Sequence, residues 1–165
     1  MAINFLDTNC RTESNKGQFG LCDDPPPAAD PAYIDETDAS KWIGIVNNHT
    51  RINIEFYAID NCVTVLRADG SLESRCDGLL SYQENLIFVE LKPRGGGQWL
   101  KKGREQLTIT INRFKLEHDI TVFNKVEAYV CNNLRPLAHS GQASNIQKFR
   151  DDTGLILRGQ QTINL

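Results

Sequence analysis

The chain lacks any apolar run that approaches the ~20 residues of a membrane-spanning helix. Its first residues, MAINFLDTNCRTE, also lack the basic start and the apolar stretch of a secretory signal. We therefore expect a cytoplasmic protein without a membrane partner. Cys-x-x-Cys pairs are absent as well, which argues against a zinc knuckle or a thioredoxin-like site. The three histidines share no metal-binding spacing, so a histidine metal site is not expected.

The five cysteines are odd in number and widely spaced. Cys62, Cys76 and Cys131 fall in stretches with strand character, where we interpret them as small core residues. Cys10 and Cys22 flank a polar segment and could form a loop disulfide. Reduced cysteines are the favoured expectation for a cytosolic chain.

The first 36 residues are polar and carry the clearest breaker of the chain, DDPPPAADP at 23–31. Three consecutive prolines favour an extended segment rather than a packed element. We interpret 1–36 as a flexible or surface-lying arm. Residues 37–165 are predicted to form a single domain, since a chain of 165 residues has room for a sizeable core.

The predicted elements contain the order αβββαβ, with one strand more before the second helix, and a smaller αβ unit follows. This order indicates an α/β protein with a mixed central sheet flanked by helices. Asp38 is expected to cap the first helix, and ADGS at 68–71 is expected to form a tight turn. In chain order, hydrophobic periodicity predicts a helix over 39–48, a strand over 51–59, a meander of three strands over 62–92, a helix over 99–115, a buried strand over 120–131, a short helix over 145–151 and a last strand from Gly154.

Positive charge is concentrated in one segment of an otherwise acidic chain. The net charge of −3 argues against a protein that coats nucleic acid in general. Residues 92–115 hold seven basic residues and one acidic residue, a net charge of +6, whereas the other 141 residues hold 11 basic and 20 acidic residues. Such a segment could hold a phosphate backbone. The charge pattern taken alone favours another interpretation, the solvated face of an amphipathic helix.

Two carboxylates and a lysine are predicted to meet on neighbouring strands. In the strand 86–92, the period of two places Glu90 and Lys92 on one face. If Tyr82 lies opposite Ile87 in the preceding hairpin, Asp77 lies opposite Lys92 and diagonal to Glu90, on that same face. Carboxylate oxygens suit Mg²⁺, and a nearby ammonium can orient a water or offset charge on phosphorus. The sequence therefore predicts metal-assisted cleavage of a phosphodiester.

The pattern Asp77…Glu90-Leu91-Lys92, on consecutive strands with a helix after it, resembles the PD-(D/E)XK nuclease superfamily. The resemblance covers about residues 39–131 and implies a restriction-endonuclease-like αβββαβ core, with the last αβ unit as a C-terminal extension. It also implies that Asp77, Glu90 and the Leu91 carbonyl are metal ligands for Mg²⁺, which Mn²⁺ could replace, and that Lys92 is catalytic. Gln106, in the following helix, resembles a glutamine that some of these nucleases carry. Cys76 stands where the motif has proline, a position at which this superfamily often departs from its pattern.

The expected substrate is nucleic acid, with DNA favoured over RNA. Four basic residues near the motif are expected to contact phosphates, namely Arg94, Lys101, Lys102 and Arg104. Sequence-specific cutting would require the loops or a homodimer, because no separate target-recognition segment stands out.

Two alternatives stay open at this point. The first is a non-catalytic module on the same fold that binds protein or nucleic acid, such as an interaction or immunity-type protein with a protein partner. The second is a structural domain, in which Glu90 and Lys92 form a cross-strand surface pair on an edge strand and Asp77 lies in a turn.

Overall fold

The computed structural model describes residues 2–93, 96–134 and 142–165. Within these residues the chain forms a mixed α/β fold with two helices and two mixed sheets. The helices are α1 (Trp99–Glu117) and α2 (Ala143–Thr153). The strands are β1 (Arg11–Ser14), β2 (Gln18–Cys22), β3 (Tyr33–Asp35), β4 (Gly44–Asn47), β5 (Ile54–Ala58), β6 (Gly78–Tyr82), β7 (Asn85–Leu91), β8 (Lys125–Cys131), β9 (Leu157–Gly159) and β10 (Thr162–Asn164).

The larger sheet has six strands in the order β1-β5-β6-β7-β8-β9. Its first four strands pair antiparallel, and β8 and β9 then add parallel to β7. The connection from β7 to β8 passes through α1, as a parallel connection requires. The predicted mixed sheet is therefore confirmed, and α1 begins at the tryptophan where the sequence places it.

The six-stranded sheet is the middle layer of the molecule. Val130 and Cys131 are neighbours in β8, so their side chains point to opposite faces. A Cβ added at Gly103 of α1 would lie 2.7 Å from the methyl carbons of Val130, which places the helix against one face. A Cβ added at Gly44 would lie 3.2 Å from Sγ of Cys131, which places the smaller sheet against the other. The second helix, α2, packs on α1 and β9.

The smaller sheet has the order β10-β4-β2-β3 and contains much of the segment that we expected to be an arm. The N-terminal residues also supply β1 at the edge of the larger sheet. Phe5, Phe19 and Leu21 are fully buried, which explains why this polar-looking segment packs. The structure thus differs from the expectation of a flexible or surface-lying arm over 1–36. Its three strands are short and its large apolar side chains are few, so the segment does not stand out by periodicity.

The predicted helix over 39–48 is wrong. Asp38 does act as an N-cap, because its side chain accepts from the N–H of Ser40, but the turn it caps is a 3₁₀ helix of three residues. The chain then enters β4, where burial alternates along the strand. Trp42 directly follows the 3₁₀ turn. Its ring packs onto Gly20, where a Cβ would lie 1.9 Å from Cγ of the indole. The position at Gly20 therefore requires glycine.

The meander over 62–92 has two strands rather than three. Residues 62–66 form no strand, and only a single bridge joins Leu66 to Leu72 in the connection between β5 and β6. Gly154 also differs from its prediction as a strand start. Its φ of 78° is left-handed and ends α2, and the last strand of the larger sheet begins at Leu157.

Cys10 and Cys62 form a disulfide, which corrects three expectations. Cys62 was expected in a core strand, Cys10 was weighed as a partner of Cys22, and reduced cysteines were favoured throughout. The pairing joins the N-terminal segment to the loop after β5 and spans 52 residues, so spacing along the sequence gave no sign of it. The other three cysteines, Cys22, Cys76 and Cys131, are buried free thiols. No helix in the described residues is long and apolar enough to cross a membrane.

Candidate functional site

The register of the β6–β7 hairpin decides whether the motif residues meet. Tyr82 pairs with Asn85, and the two-residue turn between them has positive φ at Gln83 (44°) and Glu84 (61°). The expected pairing of Tyr82 with Ile87 is therefore wrong by two residues. A shift of two preserves the face, because side chains alternate with a period of two. Glu90 consequently has Asp77 directly opposite, and all the motif side chains stay on the face that α1 covers.

Asp77 and Glu90 form a buried pair of carboxylates. The side chains are 6% and 2% exposed. The N–H of Asp77 donates to Oε2 of Glu90 at 3.2 Å, and the N–H of Leu91 donates to Oδ2 of Asp77 at 2.6 Å. Burial, followed by the charge of Glu90, raises the pKa of Asp77 well above its usual range. Burial also raises the pKa of Glu90 to about 7, although the charge of Lys92 opposes the rise.

Lys92 and Gln106 complete this cluster. The ammonium of Lys92 lies 2.9 Å from Oε1 of Glu90 and donates a short hydrogen bond to Oε1 of Gln106. The Nε2 of Gln106 in turn donates to the backbone carbonyl of Arg75 at 3.2 Å. The lysine side chain is 14% exposed, so one end of the cluster reaches the surface. The geometry therefore brings together Asp77, Glu90, Lys92 and Gln106.

The position of β7 decides against one alternative. Glu90 belongs to a strand with paired neighbours on both sides and is almost fully buried, and Lys92 directly follows that strand. They are not a surface pair on an edge strand. A buried carboxylate pair with raised pKa values is costly to keep for structure alone, and such groups concentrate at functional sites.

The donor atoms of the cluster are of the kind that a divalent cation takes. Asp77 and Glu90 offer carboxylate oxygens, and the Leu91 carbonyl is the third expected ligand. A bound cation would also relieve the repulsion between the two buried carboxylates. In the described part of the chain, no group of three or more histidine, cysteine, aspartate or glutamate side chains is arranged to hold a metal ion. A metal here would therefore rest on two carboxylates, with carbonyl and water oxygens for the rest.

The four basic residues expected to contact phosphates do not share one surface. Lys101 and Lys102 are exposed in the first turn of α1, and Lys102 lines a cavity of about 60 Å³ together with Lys92. Arg104 is only 6% exposed, and its Nε donates to Asn145 of α2 at 3.1 Å. It lies in the packing between the helices, because the arginine is on the inner face of α1. Arg94 lies outside the described residues.

Sequence reasoning missed three further charged residues beside the cluster. Arg75 donates to Asp60 with both Nε and Nη2, at 3.2 and 2.8 Å. Asp23 is half-buried, and burial followed by the charge of Asp60 raises its pKa, while the charge of Lys92 lowers it. Asp60 follows a predicted strand in the way that a site residue often does, which was a usable signal. Asp23 stands in the proline-rich segment and gave none.

The chain matches no protein-family model, no curated protein and no solved structure.

Proposed function

We propose that this chain is a Mg²⁺-dependent nuclease, with a PD-(D/E)XK-type site on a restriction-endonuclease-like core and DNA as its favoured substrate. The observation that carries the proposal is the meeting of Asp77, Glu90 and Lys92 at the ends of β6 and β7. The sequence predicted that meeting from a pattern of residue types, and the register permits it.

The residues have separate roles in this proposal. Asp77, Glu90 and the Leu91 carbonyl would hold the metal, which polarises the phosphoryl oxygen and lowers the pKa of a bound water when it is present. Lys92 is the catalytic residue, and its ammonium orients the attacking water and offsets negative charge that develops on the phosphate. Gln106 fixes the direction of that ammonium through its amide oxygen.

The surroundings of the cluster support a polyanionic substrate. Lys102 lines the same small cavity as Lys92, and Lys101 is exposed beside it on α1. The exposed ammonium groups of Lys101 and Lys102 lie next to the partly exposed ammonium of Lys92. Together they attract a phosphate backbone to a site whose other charged groups are acidic. Arg104 is not part of this surface, since it is buried between the helices.

The test is cleavage by the purified protein. Plasmid DNA, single-stranded DNA and RNA are incubated with the protein in Mg²⁺, in Mn²⁺ and in a chelator. We expect cutting that requires the metal and that falls by about a hundredfold or more in Lys92→Ala and Asp77→Ala.

Lys125→Ala is the matched control. Lys125 pairs with Glu127 on β8 at 3.2 Å, two residues apart like Glu90 and Lys92, but at the opposite end of the sheet. Its replacement should leave cutting unchanged. If the wild type is inert on all three substrates in both metals, the nuclease proposal fails. Co-purification of an inert protein with a protein partner would favour the non-catalytic binding module.

A further inference from the structure

The connection between β5 and β6 carries an ion pair that the proposed chemistry does not use. Arg75 lies two residues before Asp77, and its side chain is 12% exposed. Its Nε and Nη2 both donate to Oδ1 of Asp60. Asp60 is the second residue after β5, so the pair joins the two ends of this long connection where they enter the sheet.

The backbone of Arg75 touches the cluster directly. Its carbonyl accepts from Nε2 of Gln106, and this bond fixes which end of the amide faces Lys92. With Nε2 held by the carbonyl, Oε1 is the atom presented to the ammonium. A reversed amide would place its N–H donors against an ammonium that can only donate. The orientation of Gln106 therefore depends on where the Arg75 carbonyl lies.

Two backbone hydrogen bonds restrain the segment in addition to the Asp60–Arg75 ion pair. The N–H of Cys76 donates to Oγ1 of Thr110 on α1 at 2.8 Å, and the N–H of Ile59 donates to the carbonyl of Asp77 at 2.8 Å. The first bond holds the same planar peptide group as the carbonyl of Arg75, from the side of α1, and the second holds Asp77. Among the described hydrogen bonds, the ones that hold the side chain of Arg75 are those to Asp60.

We propose that the Asp60–Arg75 ion pair is a positioning pair for Lys92. The ion pair acts together with the bond from the N–H of Cys76 to hold the carbonyl of Arg75 in place. That carbonyl orients the amide of Gln106, which in turn holds the ammonium of Lys92 against Glu90. The effect of the ion pair on catalysis rests on the proposed function, since Lys92 is the catalytic residue there. The effect of the ion pair on the position of the Lys92 side chain is independent of that function.

Native-state acetylation tests the proposal without any need for activity. The protein is pulsed with acetic anhydride, and the modification of Lys92 is followed by peptide mass spectrometry relative to the exposed Lys101 in the same molecule. Arg75→Gln and Asp60→Asn should each raise the relative rate at Lys92 by about two- to tenfold, the change that loss of one net hydrogen bond produces. The side chain of Asp60 is 39% exposed, against 12% for Arg75, so Asp60→Asn should fold even if Arg75→Gln does not.

Two comparisons separate positioning from a general loss of structure. Arg67→Gln removes another arginine–carboxylate pair from the same connection, with Glu73 at 3.1 Å, and should leave Lys92 unchanged. In a Gln106→Met background, Arg75→Gln should raise the rate no further, because the pair acts through that amide. An unchanged rate in both Arg75→Gln and Asp60→Asn would overturn the proposal, and so would a full additional rise in the Gln106→Met background.

The kinetic consequence is measured separately on DNA with Mg²⁺. Asp60→Asn should lower kcat by about two- to tenfold and leave KM nearly unchanged, since the substrate-contacting groups stay in place. Absence of cutting by the wild type would count against the proposed nuclease function, and the acetylation rates would still decide the positioning role.

Discussion

Asp77 lies directly opposite Glu90 across the β6–β7 hairpin, and its N–H donates to a carboxylate oxygen of that residue. The two side chains are thereby held close together in a buried layer beneath α1, where neither charge is well solvated. Placing two carboxylates in this way opposes folding, and a divalent cation would reverse the effect.

Asp77→Asn should stabilise the protein while it abolishes metal-dependent cutting. The amide keeps an oxygen that can accept from the N–H of Leu91, but it removes one of two like charges from a buried site. We expect the free energy of unfolding at pH 7 to rise by about 1 kcal/mol, as is common when a costly functional charge is removed. Urea denaturation measures it. A less stable Asn variant would show that the two buried carboxylates do not destabilise the folded protein.

The turn at Gln83 and Glu84 should accept Asn-Gly with a gain in stability. Both residues have positive φ, which side chains with a Cβ rarely adopt and which Asn-Gly adopts readily in a two-residue hairpin turn. The double replacement should raise the unfolding free energy by roughly 1 kcal/mol and leave cutting unchanged. Thermal unfolding of the double variant, compared with that of the wild type, checks this. A loss of stability would mean that the register is not set by this turn.

His118 should make a contribution to stability that is lost as the pH drops below about 6.5. Its Nε2 accepts from the N–H of Phe5, its ring stacks on Phe114 at 4.5 Å, and burial lowers its pKa from 6.5. Below pH 6.5 the unfolded chain binds a proton that the folded chain resists, so unfolding becomes easier. The contribution is complete above that value and is lost as the pH falls through the folded pKa.

The measurement is the melting temperature between pH 5 and pH 7.5 for the wild type and for His118→Gln. The glutamine can accept the same N–H but does not titrate, so the difference between the two curves isolates the histidine. Parallel curves would show that protonation of His118 is not coupled to folding.

Removal of the Cys10–Cys62 disulfide should destabilise the protein by about 4 kcal/mol, the value that loop-closure entropy gives for a separation of 52 residues. A reducing agent should lower the melting temperature of the wild type. The Cys10→Ser/Cys62→Ser double variant should melt at a lower temperature than the oxidised wild type, and its melting temperature should not respond to the reductant. A reductant effect of equal size in the double variant would place the sensitivity elsewhere, for instance at a buried free cysteine.

Charge reversal at Lys101 and Lys102 should weaken binding of DNA and reduce its dependence on salt. Two lost phosphate contacts correspond to a change of about 2 in the slope of log affinity against log salt. Fluorescence anisotropy with a labelled duplex in Ca²⁺, between 50 and 200 mM salt (about the range in which such contacts act), measures the slope. Lys125→Glu, at the other end of the sheet, is the control and should keep the wild-type slope. An unchanged slope in the lysine variants would remove α1 from the DNA-binding surface.

The meeting of Asp77, Glu90 and Lys92 could be predicted from sequence because it depends on parity rather than on exact register. Glu90 and Lys92 share a face by strand periodicity alone, and any even shift keeps Asp77 on that face. The actual pairing was missed because Gln83-Glu84 carries neither the glycine nor the asparagine that usually marks a two-residue turn. The helix after the motif was predicted from its apolar spacing, and tertiary packing overrides the weak helix propensity of its β-branched residues.

The N-terminal third could not be predicted in the same way, because long-range pairing defines it. Gln18–Cys22 becomes a strand through its pairing with Gly44–Asn47, and neither segment has enough alternation to predict the other. Trp42 was assigned to a helix because its neighbours are apolar. Its actual partner is the bare backbone at Gly20, a contact that no local pattern encodes.

The smaller sheet is closed by residues that lie far along the chain from its other strands. Thr162–Asn164 pairs parallel with β4, which in turn pairs with β2, so this sheet joins residues 18 and 164. During translation, β4 therefore has one unpaired edge until residues 162–164 have left the ribosome. An open edge of this kind can recruit a strand from another nascent chain. We expect that removal of 162–165 would trap the protein at this stage and yield aggregates.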